Sequence, residues 1–118
     1  MLASHGEIRI HQLLEELDIP FEEEYTFEDL YVGDHNLLRF DFACKNDDDS
    51  LLCLIEYQGI QHYQPRSKFG GRKGLYRQQY CDNLKKQYCL KHNLKLICIP
   101  YIDEPKLDCK YLLDRIYG

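Results

Sequence analysis

Two acids set inside apolar, strand-forming runs constrain this chain more than any other feature. Asp41 interrupts Leu38-Arg39-Phe40-Asp41-Phe42, and Glu56 closes Leu51-Leu52-Cys53-Leu54-Ile55. A carboxylate in such a place loses its hydration and needs a compensating partner. Residues two apart on a strand share a face, so Arg39, Asp41 and Ala43 are expected opposite Phe40 and Phe42. By the same rule Leu54, Glu56 and Gln58 point away from Ile55 and Tyr57. If the two strands pair around the turn KNDDDS, Asp41 and Glu56 come opposite or diagonal to each other. Adjacent desolvated carboxylates repel, and one takes up a proton unless a cation intervenes. Magnesium suits such a site, because it is a hard ion that needs one or two protein carboxylates and keeps positions for water and phosphate. Asp41 and Glu56 are therefore the expected metal ligands. The plain alternative is a buried acid paired with Arg39 or capping a turn.

The flanking sequence reads as α-β-β-β-α-β-α. Ser4 followed by Glu7 has the spacing of a capping box, with Ile8, Leu13, Leu14 and Leu17 as the apolar positions of a helix over 4–17. Asp18-Ile19-Pro20 ends it. EEEYTFEDL, 37–44 and 51–57 read as an antiparallel meander turned at GDHN and KNDDDS. Residues 58–74, with Pro65 and Gly70-Gly71, read as a long loop. A helix is expected from about Leu75 to His92, with Tyr76, Tyr80, Leu84 and Tyr88 on one stripe in a core or interface, and Asn93 at its close. LKLICIPY has the continuous apolar character of a strand buried on both faces beside a parallel neighbour. A last helix is expected over 106–117, with Leu107, Tyr111, Leu112 and Ile116 inward. At 118 residues these elements make one α/β domain spanning 1–118.

Charge is distributed unevenly. Residues 66–95 carry nine cations against the single acid Asp82, a local +8 that leaves −13 for the rest of a chain whose total is −5. A basic patch is the electrostatic footprint of phosphate binding, and a solvated helix face is its plain alternative. Lys68, Arg72, Lys73, Arg77, Lys85 and Lys86 are the expected phosphate-facing cations, with nucleic acid as the partner. The longest apolar run, Leu51–Ile55, is too short to span a membrane, and MLASHGEIRI carries an acid where a secretory signal is apolar. An intracellular, cytoplasmic protein without membrane contact is expected. The six cysteines lie mostly in apolar patterns and read as reduced structural thiols. Cys81, Cys89 and His92 lack a C-x-x-C pair, which disfavours zinc. His62, beyond Gly59, is placed to exchange a proton or ligate metal.

The ordered series Glu7, Asp41 in RFDFA, Glu56-Tyr57-Gln58 in IEYQG, His62 in GIQHY, and Asp82 with Lys85 and Lys86 resembles the PD-(D/E)XK nuclease superfamily. Within it, the chain is most similar to small phage-type nucleases related to very-short-patch-repair endonucleases and EDxHD homing endonucleases. The likeness covers nearly the whole chain, Glu7 to Tyr101. It implies a restriction-endonuclease-like three-layer core with a mixed sheet, and a metal-dependent endonuclease acting on DNA with magnesium, or manganese in its place. It further implies Asp41 as the central metal-binding acid, Glu56 as a second, and Glu7 as an outer acid. His62 becomes a base or proton shuttle oriented by Asp82, and Lys85 or Lys86 a phosphate holder. In that company the gene is expected in a phage-infected cell or a virus. One departure is Gln58, where the pattern often has lysine: a neutral amide can position water but supplies no positive charge. The alternatives are an RNA endonuclease of the same fold and a catalytically reduced nucleic-acid-binding or inhibitor module. A domain this small gains specificity as a homodimer or with a separate DNA-reading partner.

Overall fold

A computed structural model describes residues 4–118; Met1–Ala3, the start of the segment read against a secretory signal, lie outside the described residues. Helix α1 (His5–Glu16) begins at Ser4, whose hydroxyl accepts from the Glu7 backbone N–H at 3.2 Å and donates to the Glu7 carboxylate at 3.3 Å. Its buried stripe is Gly6, Ile10, Leu13 and Leu14. Ile8, expected inward, is exposed, because at 100° per residue it lies about 140° around the helix from Leu13. Asp18 then takes a left-handed conformation (φ 55°) and turns the chain into the sheet.

Strands β1 (Phe21–Val32), β2 (Asn36–Lys45) and β3 (Leu51–Gln58) form the expected antiparallel meander, and β4 (Leu96–Pro100) pairs in parallel with β3. The sheet is mixed, ordered β1-β2-β3-β4. On one face, α1 and α3 (Cys109–Tyr117) pack on Phe42, Cys44, Cys53, Ile55, Tyr57, Ile97 and Ile99. On the other, α2 (Gly71–Lys91) packs on Leu30, Leu38, Phe40, Ala43 and Leu54 through Cys89. Both faces of the sheet are thus covered by helix, as a chain with two apolar sheet surfaces requires.

Two boundaries and two burial patterns differ from the sequence reading, each for a local reason. The supposed loop 58–74 contains two 3-10 turns, Ile60–His62 and Ser67–Phe69, and the first four residues of α2. Gly70 and Gly71 (φ 90° and 63°) turn the chain into that helix rather than extending the loop. Tyr76 and Tyr80 stand in solvent, while Leu84 and Tyr88 pack on the sheet cluster, so the tyrosine stripe is a core feature only in its second half. β4 is an edge strand in which Ile97 and Ile99 are buried while Leu96, Cys98 and Pro100 stay half open, not a strand buried on both faces. The last helix starts at Cys109, capped by Asp108, because the 3-10 turn Tyr101–Lys106 precedes it; Leu107, Tyr111, Leu112 and Ile116 are buried as read. All six cysteines are free thiols. Among the described residues no helix is long and apolar enough to cross a membrane.

Candidate functional site

The site lies where β2 and β3 part. Their ladder runs through Cys44↔Cys53, Ala43↔Leu54 and Phe42↔Ile55 and stops. The next pair in that register is Asp41 opposite Glu56. Instead of a ladder bond, the Tyr57 N–H donates to Asp41 Oδ2 at 2.7 Å, so the carboxylate satisfies an amide that the fork would otherwise leave unpaired. The divergence also breaks the alternation. Phe40 joins the cluster beneath α2 and Phe42 the cluster beneath α1 and α3, so these two do not share a face as strict period-two reading requires.

Two further acids converge on Asp41. Single carboxylate oxygens of Glu7, Glu24 and Asp41 all lie within 4.8 Å of one another. Glu7 arrives on the first turn of α1, which can approach closely because residue 6 is glycine. A Cβ there would sit 2.2 Å from the Tyr57 ring. Gly6→Ala is therefore expected to lift the start of α1 and withdraw Glu7, lowering stability by about 1–3 kcal/mol; equilibrium unfolding in urea checks the value. Glu24 lies across from Asp41, between the pairs Glu23↔Phe42 and Tyr25↔Phe40, and has φ 53°. A left-handed non-glycine residue within a strand is uncommon.

Burial first, and the neighbouring Glu56 second, push the Asp41 carboxyl up to about 7. Glu7 is raised by burial and then by Asp41. Glu56 is raised as well, because its burial outweighs its ion pair with Lys85. Lys85, expected among the phosphate-facing cations, is buried, its Nζ on Glu56 and 5.4 Å from the centre of the Phe40 ring. Arg39, the plain alternative partner for Asp41, reaches Glu24 at 3.9 Å. These raised values fix a sign. Between the ordinary carboxylate value and the raised one, the folded protein holds more protons than the unfolded chain, so stability falls as pH rises. The metal-free protein is expected to lose stability from about pH 4 through about pH 7, the window set by Asp41, and to level off above it. Thermal unfolding in chelator across that range measures the slope, which Asp41→Asn should flatten.

The remaining candidates form a neighbouring layer. His62 Nδ1 lies 2.8 Å from Asp82 Oδ2, and Gln78 donates to Asp82 Oδ1 at 3.1 Å. Burial opposes ionisation of Asp82, but its bonds to His62 and Gln78 and the charge of Lys85 more than offset this, and its carboxyl is held below the ordinary value. A carboxylate on Nδ1 selects the tautomer in which Nε2 accepts a proton. Gln58, the other buried polar residue of β3, accepts from the Tyr63 hydroxyl at 2.7 Å. Lys68, Arg72, Lys73, Arg77 and Lys86 are exposed, and among the described residues none of the five forms an ion pair. The structure thus brings Glu7, Asp41 and Glu56 together, sets the His62–Asp82 pair beside Gln58, and adds Glu24, which the sequence reading did not single out.

No protein-family model matches the chain, and no solved structure matches it. Two viral proteins are similar over part of it. Uncharacterized protein 094L of Frog virus 3 (isolate Goorha) is 48% identical over 54 residues, 44% of this chain and 35% of that protein. Uncharacterized protein 307L of Invertebrate iridescent virus 6 is 44% identical over 48 residues, 40% of this chain and 24% of that protein. The chain spans about a third and about a quarter of the length of these two relatives.

Proposed function

We propose that this chain is a virus-encoded, metal-dependent endonuclease that hydrolyses phosphodiester bonds in DNA, built on a restriction-endonuclease-like core. The observation that carries the reading is Asp41: a half-buried carboxylate at a strand fork, joined by Glu7 and Glu24, with the buried acid Glu56 opposite it. Three oxygen donors that repel one another are a donor set for a hard divalent cation, and the residues fit one. Glu7, Glu24 and Asp41 would hold it. Glu56, expected to reach the metal directly or through water, is engaged by Lys85, which gives it a positioning role at the fork. A bound magnesium, or manganese in its place, would supply Lewis-acid polarisation of a phosphoryl oxygen and charge neutralisation in the displacement.

The chain's own groups account for the rest. His62 accepts a proton at Nε2 while Asp82 fixes its ring and stabilises the imidazolium formed. Lys68, Arg72, Lys73, Arg77 and Lys86 hold the polyanion electrostatically. Replacing Arg72, Lys73 and Lys86 together by glutamine should weaken DNA binding and make the plot of log affinity against log salt shallower by about 2–3 units, measured by fluorescence anisotropy. Gln58 favours a second reading, a module that binds nucleic acid without cutting it, since its amide is turned to Tyr63. Purified protein incubated with plasmid, linear duplex, single-stranded DNA and RNA, in chelator, magnesium or manganese, separates the readings. Cleavage of DNA that requires the divalent ion is the expected result; binding without cleavage in every condition selects the module, and preference for RNA displaces DNA as substrate.

A further inference from the structure

We infer that the groove between the Ser67–Phe69 turn and α2 is a subsite for one unpaired nucleobase of a DNA strand, resting on the nucleic-acid reading above and narrowing its substrate class. The groove encloses about 420 Å³ and is lined by Gln61, Phe69, Gly74, Arg77, Gln78 and Cys81. It adjoins the His62–Asp82 pair at two points, through Gln61 next to His62 in the chain and through the Gln78 amide on Asp82. Three features specify its occupant.

The first is a presented aromatic ring. Phe69 is 46% exposed, yet backbone bonds hold its turn: Phe69 N–H to Arg66 O at 2.8 Å, Gly70 N–H to Ser67 O at 3.2 Å and Gly71 N–H to Arg66 O at 2.9 Å. The turn presses onto α2 so closely that a Cβ at residue 74 would sit 1.7 Å from the Phe69 carbonyl oxygen. Glycine at 74 makes this contact, and with it the position of the ring, sterically permissible. The second is charge. Arg66, Lys68, Arg72, Lys73 and Arg77 border the groove in sequence, are exposed, and form no ion pair among the described residues, so the occupant carries negative charge on its periphery. The third is hydrogen-bonding capacity. The carboxamides of Gln61 and Gln78 offer both donors and acceptors to the edge of a planar group. An anionic strand with a flat, edge-polar, stackable unit is a nucleic acid with an exposed base. Base-on-aromatic stacking contributes about 1–3 kcal/mol. A base inside a duplex has both faces covered and cannot enter. The productive substrate therefore has an unpaired nucleotide near the cut, in a single strand, an overhang or a distorted duplex.

The test uses the full chain carrying Asp41→Asn, so that binding is read without cleavage, and DNA oligonucleotides with 2-aminopurine at an unpaired or a paired position. Binding of the unpaired probe should quench its fluorescence, and Phe69→Ala should weaken that binding about tenfold and relieve the quench. Duplex affinity should change less than about twofold, and the salt dependence of both should stay the same, since no charge is removed. Phe69→Leu, which keeps apolar bulk without an aromatic face, guards against a misplaced turn and should fail as Phe69→Ala does. Equal losses for both probes, or no loss for either, would overturn the subsite. If the parent chain cleaves DNA while Phe69 variants do not discriminate, the subsite alone falls. If the parent chain never cleaves yet shows Phe69-dependent quenching, the subsite stands and the nuclease reading falls; absence of any DNA binding removes both.

Discussion

Asp41→Asn is expected to lower magnesium-dependent DNA cleavage at least about a thousandfold, equivalent to about 4 kcal/mol of transition-state stabilisation, while leaving the metal-free protein at least as stable as the parent at pH 8. The two halves of this result come from different properties of one side chain. Asparagine matches aspartate in volume and keeps an oxygen that accepts the Tyr57 N–H, the bond that caps the β2–β3 fork at 2.7 Å. What it loses is charge, and charge at this position is costly: burial and Glu56 push the Asp41 carboxyl up to about 7, so at pH 8 the folded protein carries an anion its surroundings oppose. Removing it also relieves Glu7, whose carboxyl Asp41 pushes up. The same charge is the strongest reason for a divalent cation to bind between Glu7, Glu24 and Asp41. Initial rates of plasmid nicking across a magnesium titration, paired with thermal unfolding in chelator, measure both halves. A variant that cuts at the parent rate would remove Asp41 from the chemistry. One that unfolds far more easily would make it a structural acid whose charge the fork needs.

How much of this site was legible before the fold was known depends on the kind of signal each residue gives. Asp41 and Glu56 announce themselves as polar breaks in apolar strand patterns, and a hairpin around the turn between their strands sets them opposite or diagonal; the one-residue register shift between Cys44 and Lys45, which puts them opposite, is not encoded in that pattern. His62 and Asp82 are 20 residues apart and pair because the short turn after β3 and the returning α2 bring them together, a closure that only the resemblance suggested. Glu24 gave no such signal. It is one of three successive glutamates, and which of them reaches Asp41 is decided by a single left-handed residue in β1, a conformation no periodicity encodes. Lys85 was misplaced for a related reason. The pattern of Tyr76, Tyr80, Leu84 and Tyr88 draws the eye to one stripe of α2, whereas the buried positions are Lys85 and Cys89, one residue and about 100° further round. A lysine counts as polar in any pattern, so a stripe containing one is read as surface until the acid that receives it is seen.

That buried lysine sets up the second large effect. Lys85→Met should destabilise the protein by about 3–5 kcal/mol at neutral pH, because it strands Glu56 without its cation in a site that is 6% exposed. Methionine matches the length of the lysine stem and keeps contact with Phe40, so the loss should come from charge and not from a cavity. Glu56 can escape by taking up a proton. The deficit should therefore shrink as the pH is lowered towards the ordinary glutamate value of 4.5, since burial already raises this carboxyl. The double variant Lys85→Met/Glu56→Met should recover most of the loss, because two apolar side chains of similar volume do not carry the desolvation cost of the pair. Urea unfolding of the four proteins in a double-mutant cycle would give a coupling of about 2 kcal/mol or more. If the double variant is as stable as the parent yet cuts no DNA, the ion pair is retained for the geometry of the fork and not for the stability of the fold. If Lys85→Met alone is as stable as the parent, Glu56 has water or another cation within reach, and the pair cannot be what holds the fork.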